Sequence, residues 1–148
     1  MVTANFGTMQ FTTAHVEKAN AMQADTLVEH LGIRFGLDDQ GHFTASMPVD
    51  ERTRQPMGLL HGGATAALAE SLGSMGSAML VDLDRYGVVG LEVSANHLRV
   101  VRDGLVFATG ELVHQGRTMH VWDIRVHNEA GDLCAICRLS NMIIELPK

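Results

Sequence analysis

Gln55-Pro-Met-Gly-Leu-Leu-His-Gly-Gly-Ala-Thr-Ala-Ala-Leu-Ala-Glu-Ser-Leu-Gly-Ser-Met-Gly-Ser-Ala-Met-Leu-Val81 contains one charged residue, Glu70. The stretch is long enough to span a bilayer. Gly58, Gly62, Gly63, Gly73 and Gly76, with His61 and the serines at 71, 74 and 77, make it a poor hydrocarbon helix. Ala and Gly also gain little free energy on leaving water. A helix over about 61–80 that is apolar all round belongs in the core of a folded protein. The rest of the chain must then supply the cover.

The pattern on either side supplies strands. Residues 1–11 carry no periodic signal and are expected to be loose. Thr12 or Thr13 can cap a helix running to about Ala24, and a helical turn over 26–30 leads to Gly32. Ile33, Phe35 and Leu37 alternate, as do Phe43, Ala45 and Met47, with Asp38-Asp39-Gln40-Gly41 as a turn between them. Residues 49–60 read as a loop. Strands are expected at 88–101, 105–114, 118–127 and 133–145. Within 118–127, His120, Trp122, Ile124 and Val126 share one face. Arg102-Asp103-Gly104 between two alternating runs reads as a hairpin, so the four strands form an antiparallel meander. The expected architecture is α+β, an antiparallel sheet curled around one long central helix. It forms a single domain over 1–148, with no repeat and no linker.

Composition narrows the function. The chain of 148 residues is 46% hydrophobic and 19% charged, against a usual charged share of ~25%. It can bury a sizeable core beneath a thin charged coat, which excludes disorder. A net charge of −6 is the wrong sign for a nucleic-acid footprint. Cys134 and Cys137 are too few for a disulfide framework, and on a strand their thiols point to opposite faces, against a redox pair. Cys134-x-x-Cys137 could be half a zinc site, but no second Cys or His pair stands at finger spacing, so no metal is expected. No basic, apolar leader opens the chain, and a cytoplasmic location is expected. The long apolar strands exceed what one small monomer covers, which predicts a homo-oligomer and no membrane role.

Glu70 is the residue to explain. A buried carboxylate without a partner is costly. Its helical neighbours Ala66, Ala67, Gly73 and Ser74 are small, leaving room for a ligand or a close partner. Glu70 could equally reach the surface or pair with an Arg. His61-Gly62-Gly63 opens the helix, where free N–H groups can hydrogen-bond a developing oxyanion. Gly62 and Glu70 lie ~12 Å apart along a helix axis, so a second subunit could supply one of the two.

The run from Gln55 to Gly63 with Glu70 in the following helix resembles the hotdog-fold acyl-CoA thioesterases. Val89-Gly-Leu-Glu-Val-Ser-Ala-Asn-His-Leu-Arg99 and Gly131-x-Leu-Cys-x-x-x-Arg-Leu139 extend the likeness. The branch resembled includes the 1,4-dihydroxy-2-naphthoyl-CoA hydrolases of the menaquinone pathway and the proofreading thioesterases of the enterobactin pathway. The resemblance implies that Glu70 is the catalytic carboxylate, as nucleophile or as base toward water. It implies that the Gly62 N–H polarises the thioester carbonyl. Gln55 and His61 would place the thioester and the water, and Ser74 would line the acyl pocket or position water. His97 and Arg99, then Arg117, would bind the CoA nucleotide. It further implies a site shared by two subunits, dimers paired into tetramers, and an acyl-CoA or acyl-carrier thioester as substrate with no resident cofactor. Two other readings are a non-catalytic acyl-CoA-binding module and a hotdog dehydratase using His61 with a carboxylate.

Overall fold

The uncharged stretch forms α3, Gly62–Ala78, in a computed structural model that describes residues 11–147. His61 is its N-cap, in extended conformation, with Nδ1 accepting from the Gly63 N–H at 2.8 Å. The helix is not buried all round, as its composition suggested. Ala64, Thr65, Leu68, Ala69, Leu72, Gly73, Gly76 and Ser77 are buried, while Ala66, Ala67, Glu70, Ser71, Ser74 and Met75 are half-buried. A single sheet covers one side of a cylinder, and small side chains leave the other side accessible.

Before it come α1, Thr13–Ala21, and α2, Leu27–His30, then β1, Arg34–Leu37, and β2, Phe43–Pro48. The first helix stops short of Ala24. Asp25 takes a φ of 61°, and the Thr26 side chain accepts from the Glu29 N–H as the cap of α2, so the chain restarts rather than continues. After α3 come β3, Tyr86–His97, β4, Leu105–Gln115, β5, Met119–Asn128, and β6, Leu133–Glu145. All six strands form one antiparallel sheet in the order β1-β2-β4-β5-β6-β3.

That order corrects the expected four-strand meander. Of the four strands after α3, β4, β5 and β6 follow one another as neighbours, but β3 pairs with β6 on the far side. β3 ends at His97, and residues 98–104 cross to the other half of the sheet. The crossing is fastened by Leu60 N–H to Val101 O and Val49 N–H to Gly104 O, at 2.8 and 2.9 Å. Gly104 has the positive φ of a turn, 76°, but a local turn signal cannot say which strand follows it in space. The other side of β4 is taken by β2.

The core lies between α3 and the concave face of the sheet. Trp122, Phe43, Ile33, Met47, Leu68 and Leu72 are fully buried. His120, Trp122, Ile124 and Val126 do share the inward face of β5. Of the stretch expected to be loose, residues 1–10 lie outside the described residues. Phe11 is buried, its ring 5.0 Å from that of Phe43 and 6.1 Å from that of Trp122. Cys134 and Cys137 are free and both buried, and burial pushes the Cys137 thiol up to about 11. Neither is poised to be a thiolate. Among the described residues no helix is long and apolar enough to cross a membrane. Among the described residues β3 leaves one edge unpaired, with Val89 43% and Leu91 52% exposed on it.

Candidate active site

The sequence Gln-Pro-Met-Gly-Leu folds as a tight hairpin, which gives the loop motif a physical reason. Gly58 N–H donates to Gln55 O at 2.9 Å and Gln55 N–H to Leu59 O at 2.8 Å, with Arg54 and Leu60 bridged beyond them. Pro56 suits the first loop position, and Gly58 supplies the φ of 75° that closes such a three-residue loop. His61 N–H donates to Thr53 O at 2.8 Å, tying the hairpin to the start of α3. The Gln55 side-chain oxygen accepts from the Met57 N–H.

Gln55 and Gly62 thereby meet His97 and Arg99 around one cleft of about 280 Å³. The His97 ring lies over Gly62. A methyl at 62 would come within 2.9 Å of His97 Nε2, so only glycine admits this contact. Gly62 is the first helical residue, and among the described residues its N–H has no acceptor. His61 caps Gly63 rather than Gly62, so the free donor at the mouth of the cleft is Gly62's. Arg99 Nη1 stands 3.9 Å from Asp132 Oδ2 with both side chains about half exposed, an exposed pair of little energetic worth. The guanidinium remains available to a phosphate.

Glu70 is elsewhere. Its carboxylate lies against Gly90 of β3. A methyl on Gly90 would overlap Oε1 and come within 3.0 Å of Cδ. Among the described residues Glu70 forms no hydrogen bond and no ion pair, so the Arg-paired reading does not hold. One turn on, Ser74 Oγ bonds Asn141 Oδ1 at 3.1 Å, and Asn141 is the cross-strand partner of Gly90. Glu70, Ser74, Gly90 and Asn141 therefore form a compact group on the middle of the helix.

One chain thus carries two separate groups. Gly62 and Glu70 are ~12 Å apart along α3. His97 and Gly90 are seven residues apart on β3, about 20 Å for an extended strand. Arg117, exposed in the β4–β5 turn, is not brought to His97 and Arg99; Thr118 O accepts from Ile143 N–H at 2.9 Å, which puts that turn near the Gly90 side of the sheet. Among the described residues no three His, Cys, Asp or Glu side chains gather as a metal site.

Sequence reasoning missed Gly90 and Asn141. Gly90 had a usable signal, an isolated glycine in an apolar strand, which marks a bulge or a close approach. The register does shift there, between Gly90 and Glu92. Asn141 had a weaker one, a polar residue at an inward position between Leu139 and Ile143.

The Thioesterase superfamily matches residues 57–135. The chain is 46% identical to the proofreading thioesterase EntH of Cronobacter turicensis over 129 residues, 87% of this chain and 93% of that one. A crystal structure of a mutant thioesterase PA1618 of Pseudomonas aeruginosa superposes with TM-score 0.87 at 50% identity, covering 93% of this chain and 99% of that one. Thioesterase HI1161 of Haemophilus influenzae superposes with TM-score 0.84 at 39% identity, covering 95% and 96%. Identity at this level over most of the chain, together with the shared fold, makes the protein a member of the thioesterase superfamily, a thioester hydrolase built on the hotdog fold.

Proposed function

We propose that the chain hydrolyses an aromatic or medium-chain acyl-CoA, or the matching acyl-carrier thioester, to the free acid and the thiol. The observation that carries this reading is Glu70. Among the described residues it is a carboxylate without a hydrogen-bond or ion-pair partner, held against a glycine, on a helix otherwise free of charge.

A thioester carbonyl is electrophilic. Glu70 either attacks it, displacing the thiol to leave a mixed anhydride that water opens, or takes a proton from water as the water attacks. Both routes build negative charge on the carbonyl oxygen, to which the free Gly62 N–H would donate a hydrogen bond. Gln55 and His61 would frame the carbonyl at the same helix start. His97 and Arg99 at the cleft, and Arg117 from the far turn, would receive the CoA phosphates. No resident cofactor enters this chemistry.

The two groups would complete one site in a dimer. A second copy pairing antiparallel on the open β3 edge, centred near Val93 and Ser94, sets Gly90 of one chain opposite His97 of the other. It also covers Val89 and Leu91, exposed apolar side chains on an unpaired edge. Arg117, near the Gly90 side, would then approach the other chain's cleft. We place such dimers in a tetramer, and the protein in the cytoplasm, where two free thiols persist. Thiol release from a panel of aroyl- and fatty-acyl-CoA thioesters tests the reading. Turnover is expected and should fall at least ~10²-fold in kcat in Glu70→Ala with folding intact. A panel without turnover, or an active Glu70→Ala, refutes it.

A further inference from the structure

We infer that Asn141 is a positioning residue that makes Ser74 a pure hydrogen-bond acceptor beside Glu70, and that these two acceptors orient the water that attacks the thioester. The inference rests on the thioesterase reading of the same site.

The hydrogen bonds around Asn141 allow one proton arrangement. Its side chain is fully buried. Nδ2 donates to Gly73 O at 3.2 Å and to Ser77 Oγ at 3.1 Å. A backbone carbonyl only accepts, so the amide nitrogen must occupy that side and the amide oxygen must face Ser74. An amide oxygen also only accepts. The single Ser74 proton therefore goes to Asn141 Oδ1, across 3.1 Å.

Ser77 locks the arrangement from behind. Its oxygen receives Trp122 Nε1–H at 2.9 Å and the Asn141 amide at 3.1 Å. Both lone pairs are then used, and its own proton points to His120 Nδ1 at 3.0 Å. That nitrogen must be unprotonated, leaving the imidazole proton on Nε2. Asn141 cannot flip without placing its oxygen against the Gly73 carbonyl, so the chain of bonds has no second state of comparable energy.

The consequence reaches the surface at Ser74. Its proton is committed inward, and its lone pairs face out from a half-buried position one turn beyond Glu70. A ligand group seated there must be a donor. Water fits, giving one hydrogen to Glu70 and one to Ser74 Oγ, which turns an oxygen lone pair toward the acyl carbon. As the water oxygen bonds that carbon, one proton passes to Glu70. The C–S bond breaks, the leaving thiolate takes the proton from Glu70, and the second water proton stays on the new acid.

The experiment measures kcat, KM and thermal midpoint on the best thioester of the panel for Ser74→Ala, Asn141→Leu, their double variant, and Asn141→Thr. Ser74→Ala and Asn141→Leu should each lower kcat about tenfold with KM within twofold, a typical size for one lost positioning contact. The double variant should lose no more than either alone, because Asn141 acts only through Ser74. Asn141→Thr returns an oxygen that accepts from Ser74 and should recover most of the loss. Additive losses, an Asn141→Thr as slow as Asn141→Leu, or unchanged kcat in Ser74→Ala overturn the inference while the wild-type turnover keeps the thioesterase reading. If Asn141→Leu does not fold, Ser74→Ala introduced into Asn141→Thr decides: a tenfold loss supports the inference and no loss overturns it. Absence of wild-type turnover overturns both.

Discussion

Replacing Gly90 by alanine adds one methyl to an exposed strand position, and the structure says where it goes. The new carbon would overlap Glu70 Oε1 and stand 3.0 Å from Cδ, whereas carbon atoms settle at ~3.5–4.0 Å. The carboxylate must retreat by about 1 Å, a misplacement that costs on the order of 10²-fold in rate. At ~1.36 kcal/mol per decade this is ~2.7 kcal/mol of barrier. Folding should not suffer. The clashing atoms are the tip of a flexible side chain, and alanine in a strand is favoured over glycine by ~0.5–1 kcal/mol. The assay is thiol release across the substrate range, with a thermal melt and size-exclusion profile to confirm an unaltered assembly. A kcat within threefold of the parent, or a loss of rate that tracks a loss of thermal midpoint, refutes the claim that Gly90 exists to seat Glu70.

Arg99→Ala should raise KM for CoA thioesters more than for acyl-pantetheine thioesters, because only the former carry the nucleotide phosphates; equal effects would remove Arg99 from nucleotide binding. Gly76→Ala gains ~1 kcal/mol of helix propensity but drives a methyl to 2.7 Å from the rigid Trp122 ring. Overpacking of ~1–3 kcal/mol should win, lowering the midpoint in calorimetry; a raised midpoint would contradict the packing. His120 is held below its usual pKa by burial, with repulsion from His114 second. Its unfolded form binds more protons, so its stabilising contribution is complete above pH ~6.5 and is lost as pH falls below that value. Melts from pH 8 to 5 should show a steeper acid loss for the parent than for His120→Gln, and parallel curves would exclude His120 as the source.

Much was legible in the sequence because it depends on local patterning. The central helix follows from a stretch without charge, broken only by Glu70. The strands follow from period-two alternation, and the inward face of β5 was read residue by residue. Pro56 and Gly58 mark 49–60 as a loop, while the tight hairpin over Gln55–Leu59 within it emerges only from the backbone bonds of the folded chain. The residues gathered at the cleft, Gln55, Gly62, His97 and Arg99, all carry roles that the family resemblance implies, and Gly62 also stands out as a free donor at a helix start.

Strand order was not legible. Asp103-Gly104 specifies a turn, but whether the next strand pairs with the last depends on the competition for β6 and β2, an energy summed over distant backbone partners. The same holds for the seat of the carboxylate. That Glu70 rests on Gly90, and that Asn141 backs Ser74, are contacts between residues 20 and 67 apart in the chain. Such contacts appear only once helix and sheet are packed, because atoms too close to admit a methyl, or bonded through a buried amide, leave no periodic trace. The sequence alone determined which elements form and which carboxylate stands apart from the rest. Tertiary structure decided what that carboxylate touches, because side-chain contact is set by packing across the whole sheet and not by neighbours along the chain.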